Sequence, residues 1–239
     1  MNDIYERQQI SPLIWSTFTS DPTTGVMILT REGELVYIND QATRIYFNER
    51  RETKPLLGKT LYEIGFPKEW VDERIGMMGD IIDDGTRRLL RSVWNGKQQY
   101  CWMSPITGDE QDQRDMVLII TRRIPTTFED QYLMGDETEV MRSGVICLGE
   151  LSVLTPRELE ILALLGQGMS IKQIAATLFR SVKTIENHRE AIGRKLKRTR
   201  GVELAGIAQS AGLVVEDSKR VRLDWFERPN GISGCIRDN

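Results

Sequence analysis

Two helix-start signals lie only 15 residues apart in the C-terminal half of the sequence, at Thr155 and Ser170. Glu158 stands three residues after Thr155, and Gln173 stands three residues after Ser170. In such a capping box, the hydroxyl and the carboxylate or amide each satisfy a backbone N–H at the start of a helix. Two helices that begin this close together must be short and must pack against each other.

A third helix start follows directly. Ser181 can cap the pattern VKTIENHREAIGRKLK, and only residues 179–181 separate it from the second helix. Two helices joined by so short a turn predict a helix-turn-helix. A fourth helix is predicted over VELAGIAQSA and ends at Gly212. Residues 151–213 are therefore expected to form an all-α four-helix domain.

The third helix is amphipathic. At about 100° per residue, Ile185, Ile192 and Leu196 fall on one face and should anchor the helix to its neighbours. The major groove of DNA presents acceptors on guanine, a mixed edge on adenine and a donor on cytosine, which suit Arg or Lys, Asn and Glu respectively. The opposite face carries all these side-chain types, and its members are the candidate base-reading residues: Lys183, Glu186, Asn187, Glu190 and Arg194.

Charge is distributed unevenly along the chain. The net charge is −3, but residues 1–150 hold 17 Lys and Arg against 25 Asp and Glu, whereas residues 151–212 hold 10 against 5. A basic segment joined to an acidic body is expected when one domain meets a polyanion and the other does not. Double-stranded DNA is therefore the predicted partner of the basic segment.

Residues 154–208 closely resemble the LuxR/FixJ-type (GerE-like) helix-turn-helix DNA-binding domain. The resemblance implies a four-helix module that binds DNA as a dimer, with the third helix in the major groove. By position it places Glu186, Asn187 and Glu190 at the bases, and Ser181, Lys183, Thr184 and Lys195 at the backbone. It is carried by Thr155, Arg157, Glu158, Gly168, Ile174, Ala175, Leu178, Ser181, Thr184, Glu186, His188, Lys195, Leu196 and Leu204.

The candidate contacts to the DNA backbone combine this resemblance with the basic residues that surround the reading face. They are Ser170, Arg180, Ser181, Thr184, Lys195, Arg198 and Arg200. Two positions depart from the family pattern. Arg180 stands where an aliphatic residue is common, and Gly193 interrupts the third helix and is expected to weaken it by about 0.5–1 kcal/mol relative to Ala.

Other interpretations of this segment stay open. A solvated helix with charge pairs between residues four apart shows the same periodicity. A promoter-reading region of a sigma factor has a related helix-turn-helix, although the acidic half shows no other sigma region. A protein-interaction adaptor could use a degenerate helix-turn-helix as a docking surface. An enzyme is not expected, because no nucleophile–base pair, phosphate loop or metal cluster accompanies the lone histidine, His188.

The acidic half reads as an α+β domain. Two strands flank the turn at Gly33, two helical segments follow, and three further strand-like runs end near residue 124, with a tight Asn95–Gly96 hairpin between the first two. This order predicts an antiparallel sheet with helices on one side. Residues 12–124 resemble the PAS sensor domain, with another small α+β domain as the alternative. The matching residues are Gly25, Val26, Gly33, Leu35, Tyr37, Asn39 and Ala42.

PAS domains often hold a small molecule, so such a ligand is a candidate partner. No cofactor or metal is expected, since the resemblance would require a histidine for haem or an Asn-Cys-Arg context for flavin-type light sensing, and this half has neither. Asp83 and Asp84 read as a turn, because the antiparallel pattern does not match a phosphorylated receiver domain. The sequence identifies no cofactor-binding residues.

Residues 125–150 are expected to be a linker. Phe128, Leu133 and Val140 suit either a helical dimer-forming connector or a plain tether, and residues 214–239 are expected to be a C-terminal tail. The start of the sequence lacks a signal-peptide pattern and no apolar run reaches the ~18 residues of a membrane span, so a cytoplasmic protein is expected. The expected function is a one-component bacterial transcription regulator that binds an inverted repeat as a homodimer, with RNA polymerase as a further candidate partner.

Overall fold

The computed structural model describes residues 12–48, 52–106, 115–124, 140–198, 200–223, 225–227 and 233–235. Within these ranges, no helix combines the length and the apolar character that crossing a membrane requires. The helices are α1 (Pro12–Thr19), α2 (Asp40–Phe47), α3 (Leu61–Ile64), α4 (Lys68–Asp84), α5 (Pro156–Gly166), α6 (Ile171–Thr177), α7 (Val182–Lys195) and α8 (Gly201–Ala211). The strands are β1 (Gly25–Thr30), β2 (Leu35–Ile38), β3 (Arg88–Trp94), β4 (Lys97–Ile106), β5 (Met116–Arg122), β6 (Val140–Arg142), β7 (Val145–Ile146), β8 (Val221–Arg222), β9 (Trp225–Glu227) and β10 (Ser233–Cys235).

The first unit is a six-stranded sheet in the order β2-β1-β5-β4-β3-β6. All neighbouring strands are antiparallel except β3 and β6, which run parallel. Helices α2 and α4 pack on the sheet and share its core. The predicted α+β class is confirmed. The five predicted strands also occur in the predicted order along the chain. The parallel edge strand β6 was not predicted.

The hairpin between β3 and β4 turns at Asn95 and Gly96, as the sequence predicted. Both residues have positive φ angles, 50° and 68°. A two-residue turn of this kind matches the twist of the strands and favours Asn-Gly, because both positions must adopt left-handed backbone geometry.

Asn39 connects α2 to β1. Its Oδ1 accepts hydrogen bonds from the backbone N–H groups of Ala42 and Val26, both at 2.9 Å. Its Nδ2 donates to the carbonyls of Thr19 and Thr24, both at 2.9 Å. The Asn39 side chain is almost fully buried. It caps α2 and also provides hydrogen-bond partners for backbone groups of the segment that leads into β1.

Aromatic side chains fill the space between the sheet and its helices. The rings of Phe66 and Trp70 stack with centroids 4.7 Å apart, and Trp70 lies 5.2 Å from Trp94. Trp94 also donates its indole N–H to the carbonyl of Tyr46 at 2.9 Å. Large rings that satisfy their polar atoms in this way give the domain a densely packed core.

The second unit consists of α5, α6, α7 and α8, as predicted. The capping boxes at Thr155 and Ser170 are both formed, and Gly212 ends α8 with a φ of 62°. Fully buried aliphatic side chains meet at the centre of the four helices: Leu162, Ile174, Ile185 and Ile192, with Leu204 almost buried.

The structure differs from the sequence-based expectation in two places, the predicted linker and the predicted tail. Residues 125–139, including Phe128 and Leu133, lie outside the described residues. From Val140 the chain forms β6 and β7 rather than a helix. Residues 214–223 pack on the rest of the described chain, since β8 pairs with β7 and Leu223 is buried in the core of the sheet unit. The formation of β6 has a physical explanation, because this strand supplies hydrogen-bond partners to backbone groups along one edge of β3.

The two units share one apolar core and one buried ion pair. Val93 of β3 belongs to the same buried cluster as the side chains of the helical unit. Beside it, both Nη atoms of Arg91 donate to Asp217, at 3.0 and 2.9 Å, and each residue is only 2% exposed. Arg91 also donates to the carbonyl of Gly212, at the end of α8. Asp217 also forms an ion pair with Arg220, with a nitrogen–oxygen distance of 3.2 Å.

We expect Asp217→Ala to lower the free energy of unfolding by about 3–5 kcal/mol, because it leaves the Arg91 charge buried without its partner. Urea unfolding of the full chain measures this loss. The matched control is Asp83→Ala, which breaks an ion pair with Arg31 that is exposed to solvent and should change stability far less. Equal losses in the two variants would contradict a special role for the buried pair.

Candidate nucleic-acid interface

The turn between α6 and α7 is fixed by backbone hydrogen bonds. Phe179 takes a left-handed conformation with a φ of 52°, and its N–H donates to the carbonyl of Ala176 at 3.2 Å. The N–H of Arg180 donates to the carbonyl of Ala175 at 2.9 Å. These bonds close the end of α6 and redirect the chain within three residues, so that α7 starts at a defined angle to α6.

Ser181 begins α7 as predicted. Its Oγ accepts the backbone N–H of Thr184 at 3.0 Å and lies 2.8 Å from the Thr184 hydroxyl. The two hydroxyls predicted to face the DNA backbone are thus adjacent at the N-terminus of α7, where unpaired N–H groups and the helix dipole favour an anion such as phosphate.

The inner face of α7 packs as its periodicity indicated. Ile185 and Ile192 are fully buried, and Leu196 is half-buried against the same cluster. This packing sets the rotation of the helix about its axis. The remaining face must therefore point away from the other three helices.

The predicted base-reading residues lie together on that outward face. Lys183, Asn187, Glu190 and Arg194 are exposed, and Glu186 is half-exposed at the edge. Lys183 and Glu186 form a loose ion pair with a nitrogen–oxygen distance of 3.9 Å. Neither Asn187 nor Glu190 has a side-chain partner within the described residues. The amide and the carboxylate are thus available to pair with base edges.

The predicted backbone contacts surround this face but are not equivalent. Arg180, Arg198 and Arg200 are exposed. Ser170 is exposed and caps α6, where it bonds Gln173. Lys195 differs from these, since its Nζ lies 2.6 Å from the Oε2 of Glu158 on α5.

Glu158 connects the start of α5 to the end of α7. It is almost fully buried and closes its capping box by accepting from the backbone N–H of Thr155 at 2.7 Å. Burial raises the pKa of Glu158, but the hydrogen bonds from Lys195 and Thr155 outweigh this effect and hold the pKa below its usual value of 4.5. The carboxylate is therefore charged and stabilising at neutral pH.

Arg157 was part of the family resemblance, but no role was predicted for it. Its Nη2 donates to the carbonyl of Leu178 at the end of α6, at 3.2 Å, and its Nη1 pairs with Glu160 at 2.6 Å. Arg157 therefore braces the turn from α5. No local sequence signal indicates this contact, because the donor and the acceptor are 21 residues apart.

Gly193 has a structural role that helix propensity does not indicate. It is buried, and a Cβ at this position would lie 2.6 Å from the carbonyl oxygen of Arg198. The N–H of Arg198 donates back to the carbonyl of Gly193 at 2.8 Å, which closes the end of α7. The expectation that Gly193 only weakens the helix is therefore incomplete, since the close backbone approach requires a residue without a side chain.

A short capped helix with an apolar inner face and a free polar outer face, joined to its predecessor by a tight turn, defines a helix-turn-helix DNA-binding domain. Residues 152–208 match the family described as "Bacterial regulatory proteins, luxR family". This part of the chain is a LuxR-type helix-turn-helix domain, as the sequence resemblance indicated.

Two curated relatives share this segment. The transcription regulator BvgA of Bordetella pertussis is 37% identical over 89 residues, which are 37% of this chain and 40% of BvgA. The oxygen regulatory protein NreC of Staphylococcus carnosus is 46% identical over 56 residues, which are 23% of this chain and 26% of NreC. The chain thus matches less than half the length of these relatives.

Solved structures also resemble the chain. A complex of Vibrio cholerae VqmA with ligand and DNA is 16% identical and has a TM-score of 0.46, covering 94% of this chain and 96% of VqmA. The PAS domain of Bordetella pertussis BvgS is 17% identical, with a TM-score of 0.38, covering 51% of this chain and 89% of that domain.

We expect Gly193→Ala to lower the free energy of unfolding by about 1–3 kcal/mol, because the new methyl group collides with the Arg198 carbonyl. The control is Gly206→Ala in α8, where a Cβ meets no atom within 4 Å. That substitution should raise stability by about 0.5–1 kcal/mol. A Gly193→Ala protein at least as stable as the parent would show that the close approach is not required.

Glu158→Gln tests the contact between Glu158 and Lys195, which joins the start of α5 to the end of α7. The folded-state pKa of Glu158 is lowered, so its contribution to stability is full above the unfolded value of 4.5 and is lost as the pH falls through the folded value. We expect the variant to be less stable than the parent by about 1.5–3 kcal/mol at pH 7. The difference should shrink below pH 4.5 in urea unfolding curves. A difference that does not depend on pH would count against this assignment.

Proposed function

We propose that this protein is a transcription regulator that binds double-stranded DNA with α7 in the major groove. The observation that carries the proposal is the free outward face of α7, whose amide and charged side chains no described residue covers. A major groove about 12 Å wide accepts a single helix, and this face offers Asn187, Glu190 and Arg194 to base edges. The luxR-family segment supports the same conclusion.

The exposed cations around α7 would hold the phosphate backbone. Arg180, Arg198 and Arg200 are exposed and can each displace a counterion from DNA. Lys195 has three ammonium donors, and the pairing with Glu158 leaves donors for a phosphate. A Lys195 variant would therefore lose both stability and DNA contact, which makes Arg198 the better probe of the phosphate contact alone.

One such domain reads only a few base pairs, so we propose that two copies bind an inverted repeat as a homodimer. Two-fold symmetric helix-turn-helix proteins place their reading helices about 34 Å apart, one helical turn of DNA. The PAS-like domain would then sense a signal or pair the protomers, and thereby set the spacing of the two reading helices. Binding to the chromosome would place the protein in the cytoplasm.

The direct test is binding of the full chain to a random DNA pool at increasing salt. We expect one enriched sequence with two-fold symmetry and an affinity that falls steeply with salt. No retardation of any DNA at low salt would instead favour a protein-interaction adaptor.

On the selected sequence, Asn187→Ala should relax preference at one base pair by about 1–3 kcal/mol. The control Arg198→Ala should weaken binding to all sequences alike and reduce the salt slope by about 1. The measurement is the affinity for every single-base variant of the site. If Asn187→Ala leaves every base preference intact, the orientation proposed for α7 in the groove is wrong.

A further inference from the structure

A cleft of about 360 Å³ lies between the C-terminal half of α7 and the start of α8. Three arginines, one glutamate and two glycines line it: Arg189, Arg194, Arg198, Glu190, Gly193 and Gly201. Glu190 and Arg194 also belong to the outward face of α7. The cleft therefore borders the surface that is proposed to read DNA.

The charges around the cleft do not balance. Three guanidinium groups and one carboxylate give the lining a net charge of +2 at neutral pH. Within the described residues, Glu190 forms no ion pair with any of the three arginines. Cations gathered around one cleft repel each other, and an anion bound among them would relieve this repulsion. The composition of the lining thus favours an anionic occupant.

Arg189 is the member of this set to which the DNA interface described above assigns no role. It is partly buried, yet its guanidinium makes no ion pair and no side-chain hydrogen bond within the part of the chain that the structure describes. By contrast, Arg157 on α5 pairs with Glu160 at 2.6 Å. The five N–H donors of Arg189 are therefore available to a ligand.

Gly201 leaves space beside the Arg189 guanidinium. A Cβ at this position would lie 3.5 Å from the Nη1 of Arg189, so even one methyl group would compete for space with an acceptor bound there. Glycine at the first position of α8 keeps this side of the cleft open.

We propose that the cleft binds a phosphate group, with Arg189 and Arg198 as its ligands. Guanidinium groups suit phosphate because two parallel N–H donors can bind two of its oxygens. The cleft adjoins the reading face, so the proposal assigns to it a backbone phosphate of the DNA that α7 reads, and in this form it rests on the proposed function. A free phosphorylated molecule would use the same chemistry, and the experiments distinguish the two sources.

A phosphate in the cleft would hold α7 near its C-terminal end. The hydroxyls of Ser181 and Thr184 lie at the other end of the same helix. Contacts with phosphate carry no sequence information, but they fix the register of a protein on the duplex. Arg189 would thereby determine which base pair Asn187 and Glu190 meet.

Pyrophosphate tests the site without DNA. The full chain is heated at increasing pyrophosphate concentration, with the ionic strength held constant by sodium chloride. A ligand that binds only the folded state raises the Tm. We expect a larger rise for the parent than for Arg189→Met. The control Arg44→Met removes an exposed guanidinium from α2 and should respond as the parent does. Equal rises in all three proteins would overturn the phosphate site.

DNA binding identifies the source of the phosphate. Arg189→Met should weaken binding to the selected sequence about 10-fold, the effect of one charged hydrogen bond. The loss should be the same for every single-base variant of the site, and the salt slope should fall by about 1. Arg189→Lys keeps the charge and should keep the slope. Unchanged affinity and slope in Arg189→Met would overturn the assignment to DNA, and an Arg189-dependent response to pyrophosphate would then assign the cleft to a free phosphorylated molecule.

Two glycines of α8 separate occupancy of the cleft from stability. Gly201→Ala and Gly206→Ala both replace an exposed glycine in a helix, so both should raise the Tm. Only Gly201→Ala places a methyl group beside Arg189, since a Cβ at Gly206 meets no atom within 4 Å. We therefore expect weaker binding of DNA and of pyrophosphate for Gly201→Ala alone. Equal binding by the two variants would contradict a phosphate at this position.

Failure of this proposal differs from failure of the proposed function. A parent protein that selects one DNA sequence while Arg189→Met binds that sequence equally well refutes the phosphate contact and leaves the function standing. A parent protein that binds no DNA refutes the function, and an Arg189-dependent response to pyrophosphate would in that case still support the phosphate site.

Discussion

The arrangement of the sheet unit relative to the helical unit depends on one buried ion pair, between Arg91 and Asp217. Each charge is only 2% exposed, and removing Asp217 would leave the Arg91 guanidinium desolvated without its carboxylate partner. Arg91 also holds the carbonyl of Gly212, so the end of α8 is held at the same point. The apolar contacts around Val93 favour association of the two units, and the ion pair gives that association one orientation.

The helix that is proposed to read DNA uses its charges both inside and outside the domain. Lys195 is bound to Glu158, and this contact fixes the end of α7 against α5. On the outer face, Glu186 and Glu190 reduce the positive potential that draws any DNA towards the protein. Binding to random sequences should consequently be weak, and a matching base pair at each acidic residue should account for more of the affinity.

The sequence predicted those features that depend on neighbouring residues. The caps at Thr155, Ser170 and Ser181, the turn at Asn95 and Gly96 and the inner face of α7 are all local patterns, and the structure has them. The features that it did not predict join distant residues.

The ion pair of Arg91 with Asp217 spans 126 residues, and the brace from Arg157 to Leu178 spans 21. Gly193 is a different case, because the carbonyl that excludes a side chain there belongs to Arg198, only five residues away, and the backbone geometry of the turn brings the two together. Neither hydrophobic periodicity nor residue propensity contains information about such contacts.

The two edge strands of the large sheet, β2 and β6, are both short. On one side, β6 covers β3, and on the other, β2 is only four residues long and its Leu35 exchanges backbone hydrogen bonds with Gly58 and Lys59. Within the part of the chain that the structure describes, such short edges offer few main-chain groups to a foreign strand. Self-association of these molecules should proceed through side chains on the sheet face or on the helices. The folded chain should resist assembly into continuous intermolecular β-sheets.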